Sequence, residues 1–385
     1  MLARDSSRPL PRLVIAGGGV AALEALVALH ELAPGRLDVL LVSPSDRFAY
    51  RPLQVGEPFG FADGRRYPID VLCHDLGARF AYGSVVAVDP GAREVELAGG
   101  NRLGYDLLLL AVGAQAYPAF EDGVTFDRES LPEDFDEVLS ASDQGLAEKI
   151  AIVVPAGVTW SLPAYELALL TAARAPRSEV TVVTDEPSPL CAFGERASAG
   201  VRAILDAAGV RLHTGQQPSV VSATALRIGW DWIEASRVVS LPLLSGHPIG
   251  GIAQDEHGFI AVDAHGAVPG LDGVYAAGDG TTIAIKQGGL AAQQADAVAR
   301  HVAAGIGAGS APDSSRLVLR GLLLTREGPR YLRAELDDVE RTSTISDEPL
   351  WWPPSKIASR WLSPYLERLD TLRVSGLVAR GSEAP

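Results

Sequence analysis

The stretch Leu13–Leu29, "LVIAGGGVAALEALVAL", decides how this chain is built. Leu13 to Ala16 is a short apolar run of the kind that forms a buried strand. Three glycines follow, and then a segment rich in alanine and leucine with the composition of a helix. The order Gly17-Gly18-Gly19-Val20-Ala21-Ala22 fits a GxGxxA turn, and each small residue has its own task. Gly17 permits the sharp turn, Gly19 lets a ligand approach the backbone, and Ala22 lets the helix pack close to the strand. The helix then points its amides and positive dipole end at an anion such as a diphosphate. A strand before and a helix after separate this turn from a glycine-rich loop without a ligand.

The plan returns in altered form at Ile152–Leu169, "IVVPAGVTWSLPAYELAL". Pro155 stands at the turn position and has no amide to offer. Gly157 survives, Trp160 places an indole in the loop, and Ser161 with Pro163 supplies a displaced helix start. Gly17 lies seven residues before Glu24, but Pro155 lies eleven before Glu166, so the second loop is four residues longer. The next strand end, "VTVVTDEPSP", offers Asp185 and Glu186 as ribose acceptors. The diphosphate nest itself is broken, which argues against orthodox NAD(P) binding at this second cradle.

Outward from these two units, apolar segments alternate with helical patterns, the mark of parallel sheets with crossover helices. The first unit reads as strand Leu13–Ala16, helix Ala21–Leu32 and strand Val39–Val42. The second reads as strand Ile150–Val154, helix Ala164–Ala173 and strand Val180–Thr184. Between them, residues 79–113 alternate with period two around a "GGN" turn, a β-meander returning to the first sheet. Tyr117–Asp143 is acidic and reads as a connector. Leu317–Leu336 reads as a hairpin around "REGPR", "LWWPPSKIASRWLSPYLERL" (350–369) as a proline-broken helical segment, and Val374–Pro385 as a frayed tail.

Composition narrows the classes. The chain has 385 residues, enough for two to three domains, with 47% hydrophobic and 21% charged residues. Its formal net charge of −15 and lack of a Lys/Arg run disfavour nucleic acid as a partner. The two cysteines, Cys73 and Cys191, form no CxxC or CxxxxC pair, so dithiol chemistry and cysteine zinc sites lack ligands. The histidines show no metal spacing; His247, in "LLSGHPIGG", reads as a loop histidine. There is no GxSxG nucleophile elbow. "MLARDSSRPLPRL" carries no apolar secretory core, and the Leu13–Leu29 run is broken by glycines and Glu24, so the expected location is cytoplasmic, either free or peripheral on the inner face of the membrane.

Two distant segments identify the ligand by resemblance. "YDLLLLAVGAQAYP" ends a buried strand in Ala111-Val112-Gly113, which resembles the ATG motif of two-dinucleotide-domain flavoproteins with Val112 in place of threonine. "GLDGVYAAGDGTTIAIKQGGLAAQQAD" resembles their second FAD motif, where Gly278 and Asp279 hold the ribityl and diphosphate portion. The helix entered at Lys286-Gln287-Gly288 then aims its positive end, helped by Lys286, at the flavin. The chain is thus similar to the FAD-containing pyridine-nucleotide oxidoreductases over about Leu13–Ala304. Within them it looks most like the sulfide:quinone oxidoreductase and type II NADH dehydrogenase branch, on "VSPSDRFAYRPLQVGEPF", "PAYELAL" and "KQGGLAAQQAD". The resemblance also assigns Arg51 and Val85 to the cofactor set and reads Glu24 as a structural acid. The second strand ends in Ser43 where a ribose-binding acid is usual. Trp160 occupies the position of a redox cysteine, and no cysteine follows Asp279, so persulfide chemistry does not carry over.

The expectation is therefore an α/β protein of two Rossmann-like, three-layer dinucleotide-binding domains with a carboxy-terminal α+β segment. The FAD domain would comprise 1–116 and 245–310, the altered NAD(P)-like domain 117–244, and an interface segment 311–385. The expected function is an FAD-dependent oxidoreductase passing electrons from a small-molecule donor to a quinone-like or other acceptor. An NAD(P)H:acceptor oxidoreductase and a non-catalytic FAD-binding scaffold are the alternatives. Lys286 and Trp160 are the candidate catalytic residues. Gln293 and Gln294 resemble an element placed near quinone, or form a polar helix face. Ile357, Trp361 and Tyr365, spaced i, i+4, i+8, with Lys356, Arg360 and Arg368 beside them, form a stripe suited to a membrane interface, a cover for the flavin domain, or a homodimer contact.

Overall fold

A computed structural model describes residues 9–60, 65–126, 131–146, 148–309, 316–336 and 342–374. The helices are α1 (Val20–Leu32), α2 (Ile69–Asp75), α3 (Leu131–Asp143), α4 (Leu162–Arg174), α5 (Glu195–Ala207), α6 (Gly288–Gly305) and α7 (Leu362–Val374). Two five-stranded parallel sheets carry the architecture. The first runs, in spatial order, Val274–Ala276, Leu107–Leu110, Arg12–Ala16, Asp38–Ser43 and Arg79–Tyr82. The second runs Val124–Thr125, Arg237–Ser240, Lys149–Val154, Glu179–Thr184 and Arg211–His213. In both, the strand preceding a cradle is central. Leu13, Val14, Ile15 and Ala16 are buried on both faces, as a parallel sheet covered by helices requires.

The alanine content of α1 and α6 has a structural use: small side chains let the two helices lie close together, sealing one face of the first sheet. An antiparallel pair, Ala114–Tyr117 with Leu243–Gly246, carries the chain between the two sheets. The meander expected at 79–113 splits. Arg79–Tyr82 and Leu107–Leu110 join the first sheet, while Val85–Asp89, Glu94–Leu97 and Arg102–Gly104 form a separate antiparallel sheet.

Two expectations are corrected. The Tyr117–Asp143 connector contains α3, whose Phe135, Val138 and Leu139 lie at i, i+3 and i+4 and are buried against the 3-10 segment Arg51–Phe59. Its acidic residues hid that short apolar face. The 350–369 segment is irregular up to the start of α7 at Leu362, and Pro364 falls in the first turn of that helix, where a missing amide is tolerated. Its stripe faces inward: Ile357, Leu362, Tyr365 and Leu366 are buried in the core of the first domain. Of the uses open to that stripe, the structure shows the covering one, and Lys356 points into the protein rather than flanking an outer face. Among the described residues no helix is long and apolar enough to cross a membrane. The hairpin forms as Val318–Leu323 with Arg330–Glu335 and gains a third strand, Ser343–Ser346. Beyond the start of the expected tail at Val374, residues 375–385 lie outside the described residues.

Glu24 explains how the carboxy-terminal strap is tied down. Fully buried in α1, its carboxylate accepts the N–H groups of Arg360 and Trp361 at 3.0 Å each and of Leu362 at 2.6 Å, so it caps the start of α7. Burial nevertheless pushes its pKa up to about 7, against the pull of those three amides.

Candidate functional site

The cradle is built as the glycines require. Gly17 has φ +128°, and a Cβ there would lie 2.1 Å from the Ala111 carbonyl oxygen, so only glycine fits. Its N–H donates to the Val42 carbonyl at 2.7 Å, closing the turn. At Gly19 an added Cβ would meet nothing within 4 Å, leaving open space above the start of α1. This space is part of one cavity of about 1120 Å³, above the range of drug-sized sites and on the scale of a dinucleotide plus a substrate.

That cavity gathers residues far apart in sequence. Gly17, Gly19, Ser43 and Val85 line it, as do Ala111, Val112 and Gly113. From the late motif come Gly278, Asp279, Lys286, Gln287 and Gly288, and from the altered loop Trp160. Ala22 lies behind the cradle, fully buried between helix and sheet, as its packing task implies. Arg51 opens the 3-10 segment, and its side chain lies outside the described residues. Ser43 is already engaged: its hydroxyl donates to the Ser45 carbonyl and accepts the Ser45 N–H. Gln293 and Gln294 do not line the cavity. Gln293 ties α6 to Val318, and Gln294 accepts from the Gly278 N–H and the Thr281 hydroxyl, bracing the Gly-Asp turn. Their resemblance to a quinone-side element is corrected to a structural role.

Lys286 is buried, donates to the Thr281 carbonyl and sits 3.7 Å over the Phe259 ring. Burial lowers its pKa to about 8, with Asp279 and Asp255 pulling the other way, so it stays mainly cationic at neutral pH. Gln287 caps α6 by accepting the Leu290 N–H at 2.9 Å and anchors that end by donating to the Arg320 carbonyl at 3.0 Å. His247 lines the cavity too, and burial lowers its pKa.

The cavity lining also holds a pair that the sequence does not announce. Lys356 Nζ lies 2.5 Å from both carboxylate oxygens of Glu166, which also accepts the Leu324 N–H at 2.8 Å. Glu166 is fully buried and the Lys356 side chain is 7% exposed. Burial raises the carboxyl pKa and lowers that of the amine, while each partner opposes the other's shift. The residues are 190 positions apart, and no local pattern links them.

The altered loop is closed by its own side chains. Glu186 accepts the Ser161 hydroxyl at 3.0 Å and the Tyr165 hydroxyl at 2.5 Å, with Thr184 Oγ1 and Cys191 Sγ also directed at it. Of the two acids that could meet a ribose, Glu186 is therefore satisfied from within. Ser161 points its hydroxyl at Glu186 and makes no side-chain cap to α4, and Pro163 removes an amide from the first turn. Trp160 packs on Phe193 with ring centroids 5.9 Å apart and faces the same cavity as the intact cradle. Neither cysteine is among the cavity-lining residues; Cys73, in α2, is buried with its pKa pushed up to about 11.

Residues 11–298 match the family described as pyridine nucleotide-disulphide oxidoreductase, and the chain belongs to that family. Its two parallel sheets, each with a strand–turn–helix unit at its centre, give it the two-Rossmann-domain fold of that class. It is 26% identical over 328 residues to the mitochondrial external alternative NAD(P)H-ubiquinone oxidoreductase B4 of Arabidopsis thaliana, covering 71% of this chain and 54% of that protein. It is 28% identical over 144 residues to ferroptosis suppressor protein 1 of Taeniopygia guttata, covering 37% of this chain and 36% of that one. The chain thus spans about half or less of the curated relatives it matches. The sulfide:quinone oxidoreductase of Aquifex aeolicus superposes with TM-score 0.80 over 95% of this chain and 92% of that one, at 18% identity, a likeness of fold.

Proposed function

We propose that this chain is an FAD-dependent oxidoreductase that takes electrons from a donor other than NAD(P)H and delivers them to a quinone-like acceptor. The observation that carries the reading is one cavity lined by the Gly17–Gly19 cradle, by Gly278 and Asp279, and by Trp160, Glu166 and Lys356. The residues fit FAD: the space above Gly19 is free, and the approach of Gly17 to Ala111 leaves no room for a side chain. FAD, when bound, supplies the two-electron redox centre.

The protein's own groups would then divide the remaining work. The first turn of α1 presents amides to the diphosphate, and Asp279 accepts a ribityl hydroxyl. Lys286 and the start of α6 stabilise negative charge at the pyrimidine edge of the flavin. The 3-10 segment and the strap wall off water. Lys356 Nζ would donate a proton to an acceptor whose carbonyl becomes a hydroxyl and regain it from water, with the Glu166 carboxylate holding the amine in place. The Arabidopsis relative's name and the sulfide:quinone fold support a quinone-type acceptor. The absence of a cysteine along the cavity lining argues against a persulfide route.

The family and the same relative favour a second reading, an NAD(P)H:acceptor oxidoreductase that tolerates the altered loop. Anaerobic mixing of the flavin-loaded protein with NADH, NADPH and sulfide separates the two: rapid bleaching by a nicotinamide establishes the second reading and removes the first. Flavin that no donor reduces would point instead to a scaffold.

A further inference from the structure

The altered loop ends in a ring that is held from several sides. Trp160 stands two residues before α4, half-buried, and lines the cavity. Its indole packs on Phe193, with ring centroids 5.9 Å apart and planes inclined at 55°. Phe193 is fully buried and is not among the lining residues. A Cβ added at Gly321 would lie 2.7 Å from the Phe193 Cζ, so the Val318–Leu323 strand is cut away to admit that ring. The indole is thus backed by a side chain with no room to retreat.

Glu186 joins the pieces that bring the two rings together. Its carboxylate accepts the hydroxyl of Ser161, the neighbour of Trp160, and the hydroxyl of Tyr165 in α4. Cys191 Sγ, two residues before Phe193, is directed at it from 3.8 Å. Between Glu186 and Cys191 the chain turns at Leu190, a buried residue with φ +54°. A bulky side chain in that region is strained, and it persists only where its surroundings over-determine it. Burial raises the Glu186 pKa, and hydrogen bonds from Tyr165, Ser161 and the Leu190 amide oppose the rise. One carboxylate therefore ties down the residue beside Trp160, the first turns of α4 and the strained turn that presents Phe193.

The surface held in this way is flat and apolar, and Leu162 and Pro163 extend the lining at the start of α4. Glu166, the partner of Lys356, follows Leu162 by one helical turn and lines the same cavity. The face of an aromatic ring offers little to a small inorganic anion, and it stacks well with a planar conjugated ring. We propose that Trp160 is the stacking face for the planar ring of the acceptor and that Glu186 is the residue that positions it. This rests on the flavin-and-quinone reading above and names the surface that takes the quinone ring.

The test labels the flavin-loaded full chain with 5-fluorotryptophan. The chain has six tryptophans, and the fluorine resonance of Trp160 is the one lost in Trp160→Leu. Glu186→Leu is expected to move that resonance and leave the other five in place. Glu186→Gln keeps an acceptor for the Leu190 amide and partners for the hydroxyls, so it is expected to restore the wild-type position. If Glu186→Leu does not fold, Tyr165→Phe, which removes one donor, reads the same contact. A Trp160 resonance that stays in place, or a shift of all six alike, overturns the positioning role. Binding of 1,4-naphthoquinone, read from perturbation of the flavin absorbance, tests the stacking. Trp160→Leu is expected to bind it about 3- to 10-fold more weakly than wild type, the size of one aromatic stacking contact. Adding Glu186→Leu to Trp160→Leu is expected to weaken it no further, because both act through one ring; a further loss overturns the role of Glu186. Wild-type affinity in Trp160→Leu overturns the stacking and leaves the proposed function standing. A flavin-loaded wild type that binds no naphthoquinone overturns both.

Discussion

Replacing Lys356 by methionine tests the buried pair quantitatively. The substitution keeps the length of the side chain and removes its charge, leaving the Glu166 carboxylate fully buried with only the Leu324 N–H as a partner. Breaking a buried pair on one side costs about 3–5 kcal/mol. The carboxyl can escape part of this by taking up a proton, which gives the deficit a definite pH dependence. Burial already raises the Glu166 pKa, and removing the ammonium takes away the strongest opposing influence. A group whose folded pKa lies above its unfolded value binds more protons when folded, so stability is lost as pH rises from the unfolded pKa toward the folded one. Each pH unit in that window costs about 1.4 kcal/mol. Between pH 5 and pH 7, Lys356→Met should therefore fall behind wild type by up to about 3 kcal/mol, with the smaller deficit at pH 5. Urea unfolding midpoints at both pH values measure it. Adding Glu166→Leu should restore most of the loss at pH 7. A deficit below about 1 kcal/mol at pH 7, or one equal at both pH values, would refute the buried pair.

Other substitutions probe separate links. Glu24, with a pKa pushed to about 7 from an ordinary 4.5, makes the wild-type protein lose roughly 3 kcal/mol as pH rises through that window, and Glu24→Gln should lack this component in pH-dependent urea unfolding. Lys286→Met should shift the flavin potential negative by about 20–30 mV at pH 7, for a lost interaction of roughly 1 kcal/mol. Because the Lys286 pKa lies near 8, that difference should shrink toward zero above about pH 9, as spectroelectrochemistry would show. Gly17→Ala places a methyl 2.1 Å from the Ala111 carbonyl oxygen and should yield protein without flavin, checked by the visible spectrum after reconstitution.

The sequence made the two parallel sheets and the intact cradle legible because their signals are local. A strand buried on both faces, a glycine with forced φ and an alanine-rich helix each leave a contiguous trace at Leu13–Leu29. The altered loop was also legible, since Pro155 and Trp160 announce a lost amide and an added ring. What escaped depends on separations that no local pattern records. Glu166 and Lys356 meet across 190 positions of sequence, and Lys356 looked like a flanking cation only because Ile357, Trp361 and Tyr365 were read on one helix, whereas α7 begins at Leu362. Glu24 was expected to be structural, but its service to the start of α7, more than three hundred residues away, is a tertiary fact. Gln293 and Gln294 stayed open between two uses because a helix-borne amide reads alike whether it faces a ligand or braces a turn.

The central claim is that one flavin fills the cradle and Gly-Asp turn while the altered loop denies a place to a nicotinamide. Anaerobic stopped-flow absorbance of the purified protein tests both halves at once. The account predicts a visible flavin spectrum equivalent to one cofactor per chain, bleached by dithionite and left intact by NADH and NADPH. A colourless protein, or bleaching by either nicotinamide within a normal turnover time, would contradict it.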